Sequence, residues 1–328
     1  MKKIILAVLA LFVSMNCVSA QTFTKQTTGL DENKSIHFFD DATGIATGQK
    51  GIVRTTDGGA KWTSVYGKND VYTYIYNTAF LPGSMTGFAI GCKTLPVNTN
   101  LYLKTTDGGA HWEDISISKK LFDGMPQTIT CSGTKSVLIT SNAGRLLASS
   151  DAGLNWMADT NVSVWQFETR GAVVKEGNIF VLGGELYKTD NLSKWSVCRF
   201  DSAKGAPGIE MYTLKTFGTK IIAGGLQYNR GPIISMTKNL GKDWKNSILP
   251  TPGYVNDVVF ADSWTGYACG NVLNGSIPYP GFIFKTTDGG ETWNQVPTPP
   301  DLPGLSGLSI GKKVVYYFGY NYIYKQTD

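Results

Sequence analysis

Histidine, arginine and paired cysteine are scarce in this chain of 328 residues, and each scarcity removes a class of chemistry. The two histidines are His37 and His111. His111 falls in a turn repeat at an exposed position and His37 reads as a satisfied residue of an inner strand, which argues against a Ser-His-Asp relay. Five arginines and a formal charge of +5 are too little basic surface to imply nucleic acid. The five cysteines include no CxxC pair and show no metal-ligand spacing, so neither a metal nor any other cofactor is expected. After residue 20 no stretch approaches the roughly 20 consecutive apolar residues a transmembrane helix needs. No convincing amphipathic helix is present either.

What the chain does have begins with a leader. Lys2 and Lys3 precede an apolar run from Ile4 to Val13 and a small-residue exit at Val18-Ser19-Ala20. That pattern predicts a signal peptide over residues 1–20, cut before Gln21, and a mature protein that is secreted or periplasmic. Cys17 raises lipid anchoring as an alternative, but the bulky Met15 and Asn16 before it disfavour that processing. Loss of Lys2 and Lys3 takes the formal charge from +5 to +3. The four remaining cysteines, Cys92, Cys131, Cys198 and Cys269, are widely spaced. An oxidising compartment would permit disulfides, and small buried hydrophobes are the other reading.

The rest of the chain is one unit repeated. Ser/Thr-x-Asp-x-Gly-x-x-Trp fits the segments ending in Trp62, Trp112, Trp156 and Trp293, with acids Asp57, Asp107, Asp151 and Asp288. Asn239 replaces the acid in the copy ending at Trp244, and "KTDNLSKW" keeps Asp190 and Trp195 but has Leu192 where Gly is expected. A seventh copy stops at Asp328. The steps between these positions run from 39 to 50 residues, the period of a four-stranded propeller blade. A second echo, "TGIATG", "TGFAIG" and "TGYACG", marks the second strand of three units. The sequence therefore predicts an all-β, seven-bladed propeller of antiparallel four-stranded blades over residues 21–328. Its last blade lacks a final strand, and "TFTKQTT" at the mature N-terminus supplies one, with Phe23 in the place of Trp.

In each copy Gly permits positive φ at the turn, the Asp carboxylate accepts backbone N–H groups of its own loop, and Trp wedges between neighbouring blades. These boxes identify Asp-box (BNR) repeats. Together with the "TG-x-A-x-G" strands they resemble the secreted propellers related to photosystem II stability and assembly factors, and more distantly sialidase, sortilin-type and xyloglucan-degrading propellers. The resemblance implies that the boxes lie at the periphery, away from the ligand face, and are structural. It does not carry the photosynthetic partner over, because those proteins present an arginine-rich patch that five scattered arginines do not reproduce.

Catalysis and binding demand different residues on the ligand face. A sialidase needs three clustered arginines, and only Arg170 and Arg230 can reach the ligand face. A glycosidase needs two opposed carboxylates, for which Glu168, Glu210 and Asp257 are weak candidates. Asp40, Asp41 and Asp262 read as turn residues. Loops between second and third strands and between blades share one face, and their Tyr, Asn and Pro suit recognition. Lys93, Tyr228, Arg230, Tyr254 and Tyr279, with Trp165 and Arg170 near the channel, are the expected contacts. The expectation is a monomeric, non-catalytic envelope scaffold that binds a protein or a glycan; the alternative is a glycan-binding or glycoside-hydrolysing protein.

Overall fold

The computed structural model describes residues 21–67, 70–115, 117, 124–159, 169–192, 194–200, 208–275 and 279–327. Trp165, Glu168, Asp328 and the leader, with Cys17, lie outside the described residues. Among the described residues twenty-eight strands form seven four-stranded antiparallel sheets, each with its strands in chain order except the last. Blades 1 to 6 span residues 33–66, 73–114, 126–158, 171–198, 209–248 and 254–295. Blade 7 joins residues 307–327 to the strand Thr22–Gln26, whose Phe23 pairs with Gln326 and Thr24 with Lys325. The first strands of successive blades touch one another around a ring, and Asn33–Phe38 closes it against Gly307–Ile310. No described residue is helical.

The burial pattern explains why simple alternation is weak in the middle of each blade. Strands Gly44–Gly48 and Leu146–Ser149 are buried at every position, because both faces of a blade are covered by its neighbours. Fourth strands such as Lys245–Ile248 carry no buried residue. There is accordingly no single core but seven apolar layers, one between each pair of blades. Six of them include a box tryptophan: Trp62, Trp112, Trp156, Trp195, Trp244 and Trp293. The layer between blades 6 and 7 takes Phe23 instead. Five of the tryptophans meet a phenylalanine ring, as Trp62 meets Phe38 edge-on at 6.0 Å.

Each box is a closed hydrogen-bond circuit. Thr55 Oγ1 donates to Asp57 Oδ1 at 2.8 Å, Gly59 N donates to Thr55 Oγ1 at 2.9 Å, and Lys61 N donates to Asp57 Oδ1 at 2.9 Å. The same circuit recurs at Thr105/Asp107, Ser149/Asp151, Thr237/Asn239 and Thr286/Asp288. The backbone N–H of Asn155, and then its side-chain amide, hold the Asp151 carboxyl down at about 2. In the degenerate copy the structure corrects the expected residue. Asn191 and Leu192 donate their backbone N–H groups to Thr189 Oγ1, and Lys194 N donates to Asn191 Oδ1. Asn191 thus takes the acid's place while Asp190 is exposed, because this turn is one residue shorter between acid and Trp.

The circuits also bind blade to blade. The carbonyl after the box acid receives a side-chain donor from the preceding blade in five copies. Arg54 Nε donates to Gly108 O at 3.2 Å, Lys104 Nζ to Ala152 O at 2.8 Å, Lys188 Nζ to Leu240 O at 3.4 Å, and Lys220 Nζ to Gly289 O at 2.9 Å. Gln26 Nε2 reaches Gly58 O at 3.0 Å across the closing blade. The lysines of this set lie over aromatic rings, Lys104 at 5.6 Å from the Phe88 centroid and Lys220 at 4.3 Å from that of Phe260.

Asp40 and Asp262 cap the turn after the first strand, each accepting two backbone N–H groups, while Asp41 accepts Lys313 N and Val314 N from blade 7. Cys92, Cys131, Cys198 and Cys269 are free thiols.

Candidate functional site

First strands run away from the face that carries the blade-to-blade loops and the loops between second and third strands. At that end the first strand is bulged in five blades. Register shifts at Asn33/Ser35, Ile75/Asn77, Pro126/Thr128, Met211/Thr213 and Val255/Asp257 leave Lys34, Tyr76, Gln127, Tyr212 and Asn256 as extra residues at the channel mouth. Glycine faces four of these bulges for a steric reason. A Cβ on Gly91 would lie 2.0 Å from Tyr74 O, and one on Gly225 would lie 2.0 Å from Glu210 O. Gly48 and Gly270 are equally blocked by Glu32 O and Tyr254 O. The "TG-x-A-x-G" echo is therefore the trace of a device that re-aims side chains at the rim.

On blades 4 to 6 the rim residues converge. Arg170 precedes the first strand of blade 4 and reaches blade 5. Its Nη2 is 2.7 Å from Glu210 Oε1, its Nη1 donates to Met211 O at 3.2 Å, and the guanidinium lies 4.7 Å from the Tyr212 ring centroid. Tyr228 donates its hydroxyl to Glu210 Oε2 at 2.8 Å. Tyr212 packs on Tyr254 at 5.3 Å, and Asn271 Nδ2 donates to the Tyr254 hydroxyl at 3.0 Å. The Tyr228 hydroxyl, with Arg170 beside it, holds the Glu210 carboxyl below the usual range, and burial with the Glu210 charge pushes Tyr212 up to about 12. Glu210 is thus an ionised positioning carboxylate and a poor proton donor.

Of the residues expected from sequence, Arg170, Glu210, Tyr228 and Tyr254 come together. Tyr212, the bulged residue, is not among the contacts expected from sequence. A bulge shifts strand phase by one, and only the Gly-Gly of "AGGLQ" opposite hints at it. Arg230 sits in a three-residue turn, Tyr228 to Arg230, where the sequence suggested a long loop. It is exposed, and among the described residues no acid pairs with its guanidinium. It borders an open groove of about 760 Å3 walled by Ile248, Leu249, Pro250, Pro252 and Leu273. Tyr279, on blade 6, is 38% exposed. Lys93 stands elsewhere, on blade 2, paired with Asp70 at 3.0 Å.

Asp257 does not oppose Glu210 as a catalytic partner. Its Oδ1 accepts from Thr213 Oγ1 and Val258 N, both at 3.0 Å, and its Oδ2 from Leu308 N at 3.2 Å, so it ties blades 5, 6 and 7. It lines the central cavity, whose wall does not include Glu210. His37 is on a first strand as expected, stacked at 4.7 Å on Phe80 and edge-on at 4.8 Å to Phe39. It is not satisfied in the way the sequence suggested: no described residue hydrogen-bonds either ring nitrogen. Among the described residues no three His, Cys, Asp or Glu form a metal-binding group.

Comparison with known proteins agrees with this architecture. The family model described as photosynthesis system II assembly factor YCF48 matches residues 19–179. The photosystem II assembly lipoprotein Ycf48 of Synechococcus sp. (strain CC9902) is 24% identical over 281 residues, covering 82% of this chain and 76% of that protein. The solved structure of YCF48 bound to D1 peptide superposes with a TM-score of 0.68 at 17% identity, over 93% of this chain and 97% of the other. A GH74 xyloglucanase from Xanthomonas campestris superposes with a TM-score of 0.67 at 15% identity, over 92% of this chain and 53% of the enzyme. At these identities the two structures share the fold alone. With the repeats, the closed ring and the matched family model together, the chain is an Asp-box (BNR) β-propeller resembling the photosystem II assembly factors.

Proposed function

We propose that this propeller is a non-catalytic assembly scaffold of the cell envelope, acting as a monomer, that docks an extended, acid-bearing segment of a client protein across blades 4 to 6. The carrying observation is the exposed Arg230 guanidinium, without an acid partner among the described residues, beside an apolar groove and next to a tyrosine cluster. An open cation fits a carboxylate, Leu249, Pro250 and Pro252 fit apolar side chains, and Tyr228, Tyr254 and Tyr279 offer stiff contact area. Arg170 serves as the brace: its charge is satisfied by Glu210, so it orders Tyr212 for contact. The likeness to YCF48, which has been solved with a D1 peptide, supports a peptide-docking face in this architecture. The matched family and the leader motif support placement outside the cytoplasm.

The test is capture of client protein from the producing cell's envelope by wild type and by the Arg230→Glu and Tyr254→Ala variants, read by quantitative mass spectrometry. The expected result is one client enriched by wild type and lost with Arg230→Glu. A hydrolysis assay on xyloglucan and a glycan array run beside it. Turnover of a specific glycan that disappears in Glu210→Gln or Asp257→Asn would overturn the scaffold reading.

A further inference from the structure

The channel contains a second polar site, whose lining does not include the cluster of Arg170, Glu210, Tyr212, Tyr228 and Tyr254. A cavity of about 510 Å3 opens between the first strands of blades 1, 2, 5, 6 and 7. Among the described residues its cations are Lys34 and Lys215 and its one acid is Asp257. Lys34 is paired with Glu32, and Asp257 already accepts three hydrogen bonds. Lys215 pairs only loosely with Asp257: its Nζ stands 3.5 Å from Asp257 Oδ1 and its side chain is 46% exposed, which leaves ammonium donors for a ligand.

Neutral donors share the wall. Asn77 and His37 line the cavity, and among the described residues neither side chain makes a hydrogen bond. Burial first, and then the charge of Lys215, lower His37 to about 4, so near neutral pH the imidazole offers one N–H donor and one acceptor without adding charge. An ammonium with amide and imidazole donors uncommitted among the described residues, in a half-open cavity, favours a ligand rich in acceptor oxygens and negative charge over an uncharged polyol.

We propose that the channel binds a small free oxyanion of the phosphate or polycarboxylate type, anchored by Lys215 Nζ and oriented by the Asn77 amide and the His37 ring. The chain's two histidines make this testable at atomic level, because His111 pairs with Asp107 on an exposed box and serves as an internal control. The probes are inorganic phosphate and citrate, titrated into the full chain carrying isotope-labelled histidine, with maltose as the uncharged comparison. Saturable movement of the His37 resonances by at least one anion, with His111 still, is the expected result. Lys215→Gln weakens that response about ten- to a hundredfold, the worth of one charge-assisted hydrogen bond, and Lys215→Arg retains it. A His37 signal unmoved by both anions overturns the proposal. So does an equal response to maltose, or an undiminished response in folded Lys215→Gln.

Discussion

Gly225→Ala tests whether the bulge and the rim cluster are one mechanical unit. The added methyl would sit 2.0 Å from Glu210 O, 2.7 Å from Met211 Cα and 2.9 Å from Glu210 C, all backbone atoms that cannot rotate aside. An ordinary carbon–oxygen contact is roughly 1 Å longer, so the first and second strands of blade 5 must part by about that much, loosening the Met211–Gly225 pairing. Strain of this kind in a packed sheet costs about 2–4 kcal/mol. The control is Gly183→Ala, where nothing lies within 4 Å and φ is not positive; there the change is expected within about 0.5 kcal/mol. Urea denaturation of both variants gives the comparison. Because Arg170 Nη1 bonds Met211 O, client capture should fall in Gly225→Ala while the chain remains folded at low temperature. Equal denaturation midpoints for Gly225→Ala and Gly183→Ala would refute the steric account of the echo.

Three further outcomes are expected. Lys104→Met keeps the stem over Phe88 but removes the donor to Ala152 O, and should lower stability by about 1–2 kcal/mol in denaturant titration; an unchanged midpoint would show that the blade-to-blade clasp is ornamental. His37 has a folded pKa near 4, below its ordinary 6.5, so the unfolded chain binds the extra proton between those values. Its contribution is complete above pH 6.5 and lost as pH falls towards 4, and His37→Phe should flatten the fall in urea midpoint across that window. Phe23→Trp restores to blade 7 the residue used in the other six layers, and should be neutral or stabilising by up to about 1 kcal/mol. A loss above that value would mean that the slot between blades 6 and 7 has closed around phenylalanine.

Blade count, strand order and ring closure were legible because they are written in the turns, where Gly, Asp and Trp each answer a local demand that no neighbour can override. Phe23 was legible by the same spacing. Two of the errors have one source, a single-residue change of phase. A one-residue deletion moved the box acid from Asp190 to Asn191, and a one-residue bulge turned Tyr212 to the rim. Neither alters composition or period enough to be seen in one chain. The blade-to-blade clasp was hidden differently: Arg54, Lys104 and Lys188 stand where a strand's exposed face would put any cation, and only the neighbour's carbonyl gives them a task. The rim was half readable, since aromatic and charged loop residues announce a surface but not which of them meet. Arg170 and Glu210 lie 40 positions apart and join only because adjacent blades do.

The last blade has a consequence for how the chain comes to be folded. Its outer strand, Thr22–Gln26, is synthesised about 300 residues before the strand it must pair with, Ile323–Thr327. Until Ile323–Thr327 has been made, six blades can stack while the ring stands open, with one unpaired border at each end of the arc. Closure therefore waits on the strand farthest in sequence from its partner. A nascent or truncated chain advertises its incompleteness through bare strand edges, the feature that chaperones and proteases recognise and that two unfinished copies could share with each other.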